Sequence, residues 1–190
     1  MKTPTVSLFY YLFLLFVCSC CTRSFTISGK VNAHRWYGAG QGNIIPPERL
    51  PNCDVQRFGF GATTDIPFDG TKTSKITGCS TNCHPKQHID FYAIPLKEGK
   101  YDLMINDACL PTLASKARLI HFKSNPDGAH IIKGESVSVI NDFETVGDSW
   151  LHITKYDTTN GQVKGKFELH LVNKKGDQLH FRKGRFNVKL

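Results

Sequence analysis

Residues 150–190 read WLHITKYDTTNGQVKGKFELHLVNKKGDQLHFRKGRFNVKL, and this stretch decides the fold. Trp150–Tyr156 alternates as a strand does, Asp157-Thr-Thr-Asn160-Gly161 has turn composition, and Val163–Val172 supplies the partner strand. Successive side chains of a strand point to opposite sides, so Val163, Gly165, Phe167, Leu169 and Leu171 share one face. A second turn, Asn173-Lys-Lys-Gly176-Asp177, leads into Leu179 and Phe181. The apolar parity then flips to Phe186, Val188 and Leu190. One extra residue near Lys183-Gly184 produces such a flip, as a β-bulge with the glycine at the distortion. The expected ending is a three-stranded antiparallel meander.

The same period of two recurs upstream. Ile89, Phe91 and Ala93 alternate with polar or aromatic neighbours, as do Tyr101, Leu103 and Ile105; Ile120 and Phe122 flank His121, and Val137 and Val139 flank Ser138. A short lead precedes a strand running through Ile27, Val31 and Trp36-Tyr37. Residues 38–70 are rich in Gly and Pro and read as loops around one short strand at Arg57–Phe60. The single candidate helix is Leu110–Arg118. These signals predict an all-β protein, a single antiparallel β-sandwich or barrel domain after an N-terminal signal peptide.

The N-terminus speaks for export. Lys2 precedes an unbroken apolar and aromatic run from Leu8 to Val17, too short to span a bilayer but of h-region length. Val17-Cys18-Ser19-Cys20-Cys21 resembles a bacterial lipobox with Cys20 at the modified position. Residues 1–19 are then a lipoprotein signal peptide, 20–23 the anchor and a short tether, and 24–190 the β domain. A diacylglycerol thioether with palmitate-type acyl chains on Cys20 would hold the chain at a membrane. Two other outcomes stand beside it: cleavage near Ser19 or Thr22 with release of a secreted protein, and an uncleaved signal anchor.

The 190 residues carry a formal charge of +8. Eight lysines and arginines in 161–190 face only Glu168 and Asp177, a net +6. Such a tail could form a patch for anionic lipid, polysaccharide or nucleic acid. The lack of interleaved aromatics favours instead a solvated hairpin face whose lysines guard a sheet edge, and export further disfavours nucleic acid. Beyond the signal, Cys53, Cys79, Cys83 and Cys109 read as two disulfides in an oxidising compartment, with three possible connectivities.

The stretch 163–190 resembles the ending of a group of uncharacterised β-rich lipoproteins from Bacteroidota. The residues that carry the likeness are Gly165-Lys166-Phe167 and Gly184-Arg185-Phe186-Asn187-Val188, with Tyr156-Asp157, Val31-Asn32 and Trp36 beside them. The resemblance covers about a quarter of the chain. It implies a lipoprotein with an antiparallel β fold and no assigned activity, and it carries over no catalytic residue; the outer membrane is the expected location. Thr22-Arg23-Ser24 lacks the acidic cluster that resembles a surface-export signal in that group, so the periplasmic side is expected.

Chemistry-bearing clusters are few. Cys79, Cys83, His84 and His88 have the residue types of a zinc site, yet Pro85 breaks a helix that would align them, and disulfides are the expected use of the cysteines. The Cys79–His84 run is also a rare variant of the haem-attachment spacing. If Leu171 faces Leu179 across the turn, His170 opposes His180 on the outer face, close enough to share a metal ion. Asp65, Asp69 and Asp90 are carboxylate candidates, and Trp36, Tyr37 and Trp150 are candidates for a sugar platform or for the core. No motif for a nucleophile, a catalytic metal or a phosphate loop occurs. The expectation is therefore a non-enzymatic envelope lipoprotein without a cofactor. Its expected role is binding or structural, toward the membrane and another envelope protein or polysaccharide. A lipocalin-like carrier of a small apolar ligand and a secreted hydrolase are the alternatives.

Overall fold

The computed structural model describes residues 25–64, 86–104, 110, 116–124, 127–132 and 135–190. They form ten strands: β1 (Thr26–Val31), β2 (His34–Ile45), β3 (Arg57–Thr64), β4 (Gln87–Pro95), β5 (Gly99–Asp102), β6 (Ala117–Ser124), β7 (His130–Ile132), β8 (Glu135–Asp157), β9 (Gln162–Asn173) and β10 (Gln178–Lys189). All pairings are antiparallel, in the order β8-β6-β4-β3-β2-β1-β10-β9, and β9 pairs back with β8. The architecture is thus a closed eight-stranded barrel, with β5 and β7 pairing β8 outside the ring. Of the two expected β architectures, the barrel is the one formed.

Aromatic rings fill the centre. Phe60 stacks on Phe58, Phe91 and Phe186, at centroid distances of 5.4, 4.4 and 4.6 Å. Phe91 meets Phe167 edge-on, Phe167 packs against Phe181, and Phe181 meets Trp36. All these rings are buried, and Ile27, Ile89, Leu119, Leu151, Ile153, Val163, Leu169 and Val188 close around them.

The two Gly-x-Phe motifs have a structural reason. In the β9–β10 register Gly165 lies opposite Phe186, and Gly184 opposite Phe167, so each glycine is crossed by the ring of the other motif. A methyl group on either glycine would overlap that ring. A strand glycine covered by a cross-strand aromatic keeps the wall curved without leaving a void.

The ends of these strands follow local chemistry. The turn after β8 is held by Asp157, which accepts from the Thr159 amide at 3.1 Å, and by Asn160, which accepts from the Gln162 amide at 3.0 Å. Asn173 does the same between β9 and β10, accepting from the Lys175 and Asp177 amides at 2.9 Å. Gly161 and Gly176 take the left-handed conformations these turns need, at φ 65° and 87°.

Six expectations require correction. The strand expected to run from Ile27 through Tyr37 is two, β1 and β2, paired antiparallel across a turn at Asn32 and Ala33 with φ 44° and 73°. Residues 38–45 are strand, not loop: β2 runs to Ile45, and its glycines mark close packing, since a methyl at Gly38 would crowd Ala62 and one at Gly40 would crowd Val188 and Ile27. β3 likewise continues from the expected Arg57–Phe60 to Thr64. Trp150–Tyr156 and Val137–Val139 belong to one strand, β8, continuous across a bulge between Val146 and Trp150 where Gly147 has φ 57°. The bulge in β10 falls between Phe181 and Gly184, but its left-handed residue is Lys183 at φ 54°; Gly184 is there to admit Phe167. Finally, Ala117 and Arg118 of the candidate helix are strand, Leu110 is buried outside any helix, and 111–115 lie outside the described residues.

Candidate functional site

β9 and β10 present three chemistry-bearing side chains on the outer wall. Their register places His170 directly opposite His180, and Leu171 opposite Leu179. The imidazole rings stack at 4.1 Å between centroids. Glu168, two positions before His170 and on the same face of β9, places its Oε1 2.7 Å from His180 Nε2. One ligand atom from each of the three lies within 4.8 Å of the others.

Backbone irregularities elsewhere hold both histidines. At the β8 bulge the buried Ser149 hydroxyl accepts from the His170 amide at 2.9 Å and donates to the Val146 carbonyl at 2.9 Å. In the β1–β2 turn Asn32, left-handed at φ 44°, accepts from the His180 amide through Oδ1 at 3.0 Å, and its own amide donates to the His180 carbonyl at 3.1 Å. A hollow of about 610 Å³ opens beside the rings, lined by Asn32, Gly147, Asp148 and Gln178 among others. Glu168 was missed as a third member, although the outward parity it shares with His170 was a signal that could have found it. Ser149 and Asn32 had no sequence signal, since their roles depend on a bulge and a turn.

The second feature is a basic wall. Lys166 lies directly opposite Arg185, and Lys30 directly opposite Arg182. His152 is the β8 partner of Lys166, Lys155 that of Lys164, and Arg35 the β2 partner of Lys30. Among the described residues neither Lys166 nor Arg185 pairs with a carboxylate, and both line a hollow of about 490 Å³ with Thr26, Ser28, Thr154 and Asn187. β10 has neighbours on both sides, so its cations guard no edge, and the edge-protection explanation falls. An apolar filled interior with a charged exterior is also the inverse of a membrane-spanning barrel, whose outer band faces lipid.

A third hollow, about 710 Å³, lies over β2, β3 and β4; its lining includes Gly59 and Gly61 with Gln41, Asn43, His88, Asp90 and Tyr92. Asp90 is engaged there by Arg118 at 3.8 Å, which reaches Asp142 at the same distance. His88 Nδ1 lies 3.0 Å from the Thr63 hydroxyl.

The remaining candidates disperse. Trp36 is core, with Nε1 donating to the buried Gln87 at 2.7 Å; Tyr37 lies under Arg35 and Trp150 under Lys100, so the three build no sugar platform. Cys53 is disulfide-bonded and packs with Leu50 against Ile45, Ala93 and Leu110. Cys20, Cys79, Cys83, His84, Cys109, Asp65 and Asp69 lie outside the described residues. Inside the barrel His121, 1% exposed and against the Phe143 ring, has its pKa pushed down to about 4 by burial, so it is neutral at physiological pH. In comparison with known proteins, no family model, no curated protein and no solved structure matches this chain.

Proposed function

We propose that the protein is an exported, membrane-anchored β-barrel lipoprotein with a non-enzymatic binding role in the cell envelope, and that its basic wall on β8, β9, β10 and β1 binds an anionic polysaccharide. The observation that carries this reading is the direct opposition of Lys166 and Arg185 on a closed wall. Like charges directly opposed weaken a strand pair, by roughly 0.2–1 kcal/mol. A mere scaffold gains nothing from keeping them, whereas an anionic chain lying along the wall turns the repulsion into attraction. The lipobox-like Val17–Cys21 supports attachment, and the likeness of 163–190 to Bacteroidota lipoproteins supports an outer-membrane location facing the periplasm.

The test has two parts. Mass spectrometry of the protein from its native membrane fraction is expected to give Cys20–Leu190 plus acyl chains; a soluble, unacylated chain overturns the anchor. On immobilised dextran sulfate the full chain is expected to bind with a salt-dependent affinity, and K166Q/R185Q to bind more weakly and with shallower salt dependence. The same double variant is expected to be no less stable than the parent, because it relieves a repulsion. Undiminished binding by that variant overturns the assignment of the wall.

The second reading is the carrier of a small apolar ligand. The eight-stranded antiparallel barrel suits it, and so does a buried polar layer inside, where Gln87 lies opposite both Thr64 and His121. Against it, the rings from Phe58 to Trp36 pack on one another in the space a ligand would use.

A further inference from the structure

We propose that Glu168, His170 and His180 form a binding site for one divalent transition-metal ion of the zinc or copper kind. Two imidazoles and a carboxylate are ligands of the right hardness for these ions, whereas calcium and magnesium take oxygen ligands. Zinc held about 2.1 Å from each donor needs donors roughly 3.4 Å apart. The three donor atoms lie within 4.8 Å of one another, and the Glu168–His180 pair is at 2.7 Å. Rotations of about 1 Å at side chains that are about a third exposed, such as Glu168 and His180, close the difference.

Opposed histidines on a strand pair are common enough as solvated polar surface. Here two irregular segments converge on them. The β8 bulge supplies the Ser149 hydroxyl to the His170 amide, and the left-handed Asn32 takes the His180 amide and gives its own to the His180 carbonyl, 148 residues away in sequence. Each device fixes the backbone under one ring, so the donors are presented to a common point before any ion arrives. Such pre-organisation lowers the ordering cost of chelation. Three protein donors leave at least one coordination position open, on the side where the hollow lined by Asn32, Gly147, Asp148 and Gln178 admits water or an anionic ligand.

Titration of the full chain with zinc chloride in a non-coordinating buffer tests this, with cobalt as a visible probe. One equivalent is expected to bind at this site; E168Q weakens zinc binding by about tenfold, and H170N/H180N by more. H130Q, on β7 outside the ring and away from the cluster, leaves it unchanged. Far-UV circular dichroism confirms the fold of each variant. A second readout needs no variant: substoichiometric Cu²⁺ broadens the His170 and His180 imidazole NMR signals first. Full retention of zinc by folded H170N/H180N, or broadening that begins at other histidines, overturns the proposal.

Discussion

Strand β3 and the β9–β10 wall use the same residue, glycine, for opposite ends. In β9 and β10, Gly165 and Gly184 face inward and each receives a phenyl ring from the neighbouring strand. In β3, Gly59 and Gly61 alternate with Phe58, Phe60 and Ala62, which are buried in the core; the glycines line the outer hollow instead. The first pattern spends glycine on packing and leaves a wall whose outer face is free for charge. The second spends it on surface shape. A glycine in a strand therefore carries no meaning until its face is known.

Four substitutions can break or sharpen that contrast. The largest effect is expected at Phe60, which stacks on three other rings from the one short strand expected within the Gly- and Pro-rich stretch. Phe60→Ala is expected to lose about 3–5 kcal/mol in urea unfolding, the range for a buried ring. A loss below about 1 kcal/mol would mean that the β2–β3 wall contributes little core and that the stability resides in β8–β10.

The second effect is one of pH. His121 has a folded pKa near 4, against 6.5 when unfolded. The unfolded chain takes up the proton first as pH falls, so the stabilisation is complete above about pH 6.5 and is lost progressively toward pH 4. Between pH 7 and pH 4.5 the folded state is expected to lose about 2.5 kcal/mol through this group, and His121→Gln is expected to remove that part of the slope. Equal slopes for the two chains in paired unfolding curves would place the acid sensitivity elsewhere.

The smallest effect is the most direct comparison of the glycines. Gly165→Ala drives a methyl into the Phe186 ring and the His152 carbonyl, and is expected to cost about 1–3 kcal/mol. Gly59→Ala places its methyl 3.2 Å from the Phe91 carbonyl and 3.8 Å from Asn43, and is expected to cost less than about 1 kcal/mol. Thermal melts that rank the two the other way would reverse the division of labour between the walls.

Legibility followed how local each signal was. The turns at 157–161 and 173–177, the register that opposes His170 to His180, and the parity flip in β10 all arise between residues near one another, and each was readable. β2 was misread because its inward positions are Gly38, Gly40 and Gly42 and the groups that fill their space come from other strands, Ala62 of β3 and Val188 of β10 among them. The split of β8 into two pieces has the same origin: Asp148-Ser149 interrupts the alternation, and only the Ser149 bond to His170 shows that the strand continues through a bulge.

Alternation, turn composition and the two Gly-x-Phe motifs were enough to establish an all-β chain ending in an antiparallel meander, because β structure imposes a period of two on residues close in sequence. Barrel closure was not contained in those patterns. It rests on β1 pairing with β10, which joins the two ends of the domain, and pairing between strands so far apart leaves no local trace in either, whereas the β8–β9 hairpin was expected. For the same reason the candidate metal cluster was half visible. The opposition of its histidines follows from one hairpin and was read, Glu168 of the same hairpin was missed, and the serine and asparagine that hold the histidines come from the β8 bulge and from the β1–β2 turn, which the β1–β10 pairing brings alongside.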